Sequence, residues 1–124
     1  MNDKFQEGMK IRREVLGDAH VDRSTENCSH FMQPIQDLVT EYCWGAVWSR
    51  PGLARRDRSI ANLAMLTALN RTAELKLHVR AAVTNGVSRD EIREVLLQTA
   101  IYCGVPAGIE SFKAAEEVLA EMDS

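Results

Sequence analysis

The sequence predicts an all-α protein, a single compact domain of about six helices spanning residues 1–124. Three observations carry this. Apolar residues recur at three- and four-residue spacing through almost every segment. Glycine, proline and Asn-Gly punctuate the chain where those patterns stop. No segment reads as a strand, and no internal repeat or low-complexity stretch is present.

The first helix is expected over residues 3–16, with Phe5, Met9, Arg12 and Leu16 at helical spacing and Gly17 as the stop. The stretch DAHVDRSTENCSHFMQ has little periodicity and is expected to be a long loop or arm that holds on to a partner subunit. Pro34 can open a second helix, because proline loses no intrahelical bond in the first turn. Ile35, Leu38, Val39, Tyr42, Ala46 and Val47 should mark its buried side, and SRPG should end it. Asp57 or Ser59 is expected to cap a third helix, IANLAMLTALN, which is apolar nearly all round and so should be buried on most sides until Asn70 closes it. Thr72 should cap a fourth helix that ends at Asn85-Gly86. Ser88 and Glu91 form a capping box for a fifth, with Ile92, Val95, Leu96 and Thr99 inward. Pro106 starts the last helix, which runs to about Met122.

Composition narrows the function classes. With 45% apolar residues, 27% charged residues and a net charge of −3, the chain is an ordinary globular one and lacks the basic balance of a nucleic-acid binder. RPGLARRDR is locally basic but short, and fits a small anion better than a nucleic acid. Cys28, Cys43 and Cys103 are odd in number and form no C-x-x-C, so they read as reduced, buried, small apolar residues. The charged N-terminus lacks an apolar signal region, and no run is long enough to span a membrane. The expectation is a soluble cytoplasmic protein. The arm, the apolar helix and two helix-face tryptophans together offer more apolar surface than one small domain hides, so an obligate homo-oligomer is expected.

One short run holds the chemistry. In ELKLHVR, Glu74 and His78 stand four apart, which places them one turn apart on one helix face. Spacing alone favours a surface ion pair. The apolar flank of Leu77, Val79, Ala81 and Ala82, following a nearly all-apolar helix, points instead toward an acid–base centre. His20 and His30 fall in the arm, where a solvated role is the default. One Glu and one His cannot complete a metal site, and no dinucleotide, phosphate-loop or nucleophile-elbow motif occurs. An enzyme built on these residues is expected to need no metal and no cofactor. Trp44 and Trp48 share a helix face and read first as core or subunit contacts. Of Arg50, Arg55, Arg56 and Arg58 that follow, one held at the start of a buried helix can bind a carboxylate bidentately.

The segments GMKIRREVLGDAHVDRS, WGAVWSRPGLARRDRS, ELKLHVRAAVTNGVSRDEI and LLQTAIYCGVPAG, in this order, resemble the carboxymuconolactone decarboxylase family. The resemblance implies an alkylhydroperoxidase-like helical fold and a hexamer or trimer of dimers. Thiol-peroxidase relatives carry C-x-x-C ahead of the histidine; here Arg71 and Glu74 hold those positions, so thiol chemistry is not expected. The implied reaction is decarboxylation of a small dicarboxylate lactone, carboxymuconolactone, to 3-oxoadipate enol-lactone in aromatic catabolism. The implied roles are His78 as proton donor, oriented and kept protonated by Glu74, with the reverse assignment open. Arg58 and Arg56 are the carboxylate or oxyanion binders, and Trp44 and Trp48 an apolar wall. The alternatives are a non-thiol member acting on another lactone or keto acid, and a helical oligomerisation module without chemistry.

Overall fold

The computed structural model describes residues 2–124, which fold as helices and turns in two compact units, one up to Leu53 and one from Ala54 to Ser124. The all-α expectation holds.

In the N-terminal unit, α1 (Asp3–Leu16) begins where the Asn2 side chain accepts a hydrogen bond from the Phe5 N–H at 2.8 Å, and ends at Gly17, whose φ of 90° suits glycine. The expected arm is largely a helix, α2 (Asp18–Glu26). One fully buried residue, Val21, and a fork of Arg13 onto Asp18 (3.1 Å) and Asp22 (2.9 Å) fasten it to α1. A nine-residue helix with a single apolar anchor shows no periodicity and stands only through tertiary contact, which is why it reads as loop in the sequence. It is also the helix beyond the expected six: seven α-helices occur among the described residues.

Helix α3 (Gln33–Leu38) runs without a break into a π-helical segment, Val39–Val47. The wide turn shows in the Trp48 N–H, which donates to the Cys43 carbonyl five residues back at 2.9 Å. This corrects the expected buried face. Ile35, Leu38, Tyr42 and Val47 are exposed, while Thr40, Trp44, Gly45 and Trp48 are buried. The reason is backbone proximity. A Cβ on Gly8 would fall 1.9 Å from the Thr40 carbonyl oxygen, and one on Gly45 would fall 2.1 Å from the Lys4 carbonyl oxygen. Two glycines let α1 and the π segment meet main chain to main chain, and the extra residue per turn rotates the tryptophans inward.

The C-terminal unit comprises α4 (Arg55–Ala68), α5 (Thr72–Thr84), α6 (Arg89–Cys103) and α7 (Val105–Asp123). Leu63, Leu75, Val79, Ile92, Leu96 and Val118 lie at the centre of its core. Helix α6 follows expectation: the Ser88–Glu91 capping box forms reciprocally, and Ile92, Leu96 and Thr99 are buried. Other starts differ. Helix α4 begins four residues before Ser59, with Asp57 in its first turn, and α5 takes Arg71 rather than Thr72 as its N-cap, without a side-chain bond in either case. Asn70 adopts φ 58° between them. Helix α4 also buries less than expected. Ser59, Leu63 and Thr67 turn inward, whereas Met65 lies exposed and Leu69, just past its end, does too. Along the outside, Lys76–Glu117 (3.1 Å) and Arg80–Glu121 (2.5 Å) bridge α5 to α7. These are exposed pairs, so each contributes little beyond orientation.

The cysteines depart from the buried reading. Cys28 is half-buried, and Cys43 and Cys103 are exposed, all three as free thiols. Although Cys43 is exposed as a residue, its thiol lies in a desolvated setting. Burial pushes its pKa up, and the nearby Arg12 charge opposes this.

Candidate active site

Helix α5 presents Leu75, Val79 and Ala82 to the core at 3.6-residue spacing. His78 precedes Val79 and so lies at the edge of that buried stripe, half in and half out of solvent. Glu74, one turn earlier, is exposed in the first turn of α5, where a carboxylate favours the helix dipole.

The residue that sequence reasoning missed is Asn62 on α4. Its Nδ2 lies 3.3 Å from His78 Nδ1. In this orientation the amide donates and Nδ1 accepts, which places the proton of a neutral imidazole on Nε2. Rotating the amide would present Oδ1 to an Nδ1–H, so the same side chain can serve the imidazolium. An amide partner therefore fixes the ring without fixing its charge, which suits a group that gives and regains a proton. The signal was available: Asn62 is the one polar residue among IANLAML. Next to it in the chain, Leu63 is fully buried, and Ser59 accepts a hydrogen bond from Asn85 Nδ2 at 2.9 Å. The Ser59–Asn85 bond ties α4 to the C-terminal end of α5, and Leu63 packs α4 into the shared core, so the two helices are held together around the Asn62–His78 contact.

Arg58 is half-buried and stands one turn before Asn62 on the same side of α4. Helical spacing thus puts Arg58 on the face of α4 that carries Asn62. Arg56 points elsewhere: it pairs with Glu91 Oε2 and lies 3.5 Å from Asp57. Glu91 Oε1 meanwhile accepts the Ser88 N–H at 2.9 Å, so Arg56 braces the cap of α6. Trp44 and Trp48 belong to the N-terminal unit, where they are 3% and 6% exposed and lie with ring centroids 4.8 Å apart, tilted by 40°. Among the described residues, no group of three or more His, Cys, Asp or Glu side chains is gathered as metal ligands would be.

In the C-terminal unit a half-buried imidazole meets an amide from the neighbouring helix, with an arginine one turn before that amide on α4, a set of groups able to exchange a proton and to hold an anion. The comparison with known proteins narrows the class. The carboxymuconolactone decarboxylase family model matches residues 33–117, and the chain belongs to that family. It is 44% identical to 4-carboxymuconolactone decarboxylase of Acinetobacter baylyi over 98% of this chain and 92% of that relative. It is 42% identical to nitrosuccinic acid decarboxylase of Metarhizium robertsii over 95% of this chain and 82% of that relative. A 4-carboxymuconolactone decarboxylase of Pseudomonas putida is 43% identical over 34% of this chain and 88% of its own length.

Proposed function

We propose that the chain is a cofactor-independent 4-carboxymuconolactone decarboxylase, a carboxy-lyase of aromatic catabolism. The observation that carries the reading is the Asn62–His78 contact beside Arg58, in a chain 44% identical over nearly its full length to a relative of that name. In the proposed reaction the bond between the ring carbon and its carboxylate breaks and carbon dioxide leaves. The electron pair moves through the conjugated double bond to the lactone carbonyl, giving a dienolate. A proton delivered to the carbon beside the carbonyl then yields 3-oxoadipate enol-lactone. The substrate carries its own electron sink.

His78 donates the proton, Asn62 orients it, and Arg58 holds the carboxylate or the developing oxyanion. Glu74 supplies negative charge one turn away and stabilises the imidazolium. Arg56, engaged with Glu91, is the second choice for anion binding. Trp44 and Trp48, proposed as an apolar wall, can offer substrate only the few per cent of surface they expose. The assembled form is proposed to be a homo-oligomer, a hexamer or trimer of dimers, in the cytoplasm. Its support is the exposed apolar surface of each unit, with Ile101 and Tyr102 77% and 82% exposed.

The test is an ultraviolet assay on freshly generated carboxymuconolactone. The wild type should turn it over, and His78→Gln should lower turnover by about 10²–10⁴-fold, the usual share of a positioned acid. Near-normal turnover in His78→Gln would remove His78 from the mechanism. Glu74→Gln should be milder; an equal loss would make Glu74 the donor. In heavy water, rapid product analysis should find deuterium on one face of the carbon beside the carbonyl. A racemic label in the wild type would mean protonation by bulk water. The 42% identical nitrosuccinic acid decarboxylase supports a second reading, so nitrosuccinate belongs in the same assay. Turnover of nitrosuccinate alone would transfer the proposal to that substrate.

A further inference from the structure

Two polar residues on the seam between α4 and α5 have no local reason for their identity. Asn85 is the C-cap of α5, with φ −86° and ψ 5°. Leu69 ends α4 in nearly the same conformation, φ −86° and ψ −1°, so the backbone does not require asparagine there. The left-handed position that follows α5 is taken by Gly86, at φ 93°. Ser59 lies inside α4, which begins four residues earlier at Arg55, so it caps nothing. Serine is no better than a middling helix former, and this one is fully buried. What the two residues share is one hydrogen bond, from Asn85 Nδ2 to Ser59 Oγ at 2.9 Å.

Ser59 and Asn62 stand three apart on α4, and His78 and Asn85 stand seven apart on α5, so each pair shares a helix face. The bonds Asn85–Ser59 and Asn62–His78 are therefore two polar links along one seam. The core beside them is aliphatic, with Leu63 from α4 and Leu75, Val79 and Ala82 from α5. Aliphatic burial is non-directional and tolerates a small slide or rotation of one helix on the other. A bond to a buried hydroxyl does not. If Asn85 moves away, Ser59 Oγ loses its partner where water cannot replace it.

We propose that Ser59 and Asn85 are positioning residues for His78: their hydrogen bond pins α5 against α4 and so holds Asn62 Nδ2 within reach of His78 Nδ1. Ser59 is fully buried and touches no substrate, and the pair acts on the imidazole through Asn62. The effect on the ring rests on geometry alone. Its consequence for turnover rests on the role proposed above for His78.

The test reads the His78 ring nitrogens in the full chain, labelled with ¹⁵N-histidine, across a pH series. Their signals are told from those of His20 and His30 by their loss in His78→Gln. Asn62→Ala supplies the signature of the missing amide contact. Asn85→Ala and Ser59→Ala remove the pinning bond from opposite ends, so either decides if the other does not fold. Both should move the ring shifts from the wild-type values toward those of Asn62→Ala. Leu96→Ala, which opens a cavity in the same core from α6, should leave them at the wild-type values. With carboxymuconolactone, Asn85→Ala should lower kcat, by up to about 10²-fold for a misplacement of about 1 Å, and leave KM near that of the wild type. Wild-type ring shifts in Asn85→Ala and Ser59→Ala, or an equal displacement in Leu96→Ala, would overturn the proposal. Ring shifts that Asn62→Ala itself does not move would overturn it too. Displaced shifts with an unchanged kcat would uphold the pin and remove ring orientation from the mechanism. A wild type that leaves carboxymuconolactone untouched would strike the decarboxylase reading, and the ring shifts would still decide this one.

Discussion

The two units of this chain solve the same packing problem in opposite ways. The C-terminal unit fills its centre with aliphatic side chains from four helices, at positions a helical period marks plainly. The N-terminal unit brings two backbones together at Gly8 and Gly45, buries a charged Arg12 on Thr40 and Gln36, and buries two tilted tryptophans. One unit is held by volume, the other by the absence of it. The first should therefore suffer when atoms are removed and the second when they are added.

Both tryptophans lie in the N-terminal unit, so indole fluorescence reports that unit while far-ultraviolet dichroism reports both. Coincident transitions by the two probes would show that the units unfold together. With this pair of probes, Leu96→Ala should cost about 2–5 kcal/mol in denaturant unfolding, because a fully buried leucine leaves a cavity. Gly8→Ala should cost about 1–3 kcal/mol or more, because its methyl meets main-chain atoms that cannot rotate away. If Gly8→Ala is neutral, the close approach of α1 to the π segment is not what holds the N-terminal unit.

Ser88→Ala should cost about 1 kcal/mol, the usual loss of an N-cap. It should also loosen the Glu91 carboxylate that engages Arg56. An unchanged midpoint would mean that the Arg56–Glu91 pair holds the start of α6 without the serine. The smallest effect concerns Cys43. Its raised pKa leaves less thiolate near neutral pH than a free cysteine has, so alkylation by a maleimide should be slower than for a small free thiol. Reaction at or above the free-thiol rate would show that the sulfur is solvated.

The same contrast explains what was legible in the residues. Aliphatic periodicity announced α6 and its capping box, and the four-residue step from Glu74 to His78 announced a shared helix face. The helix over Asp18–Glu26 was not announced, because a single valine and a fork of charges carry no period. The π segment escapes the sequence pattern because its inward face holds Thr40 and Gly45 beside Trp44, while Tyr42 and Val47 lie exposed. Helix α4 looked buried on most sides because sequence shows apolarity but not which neighbour receives it.

By itself, then, the sequence determined the helical class, the breakers between helices and the residue types available for proton transfer, since these depend on local spacing and backbone preference. The tertiary structure alone decided that Asn62 meets His78, that Arg56 is engaged with Glu91, and that Arg12 is buried beside a small cavity. Each of these depends on where one helix lands against another. That position is set by the volumes and hydrogen bonds between residues 16 to 35 apart in the chain, which no local period encodes.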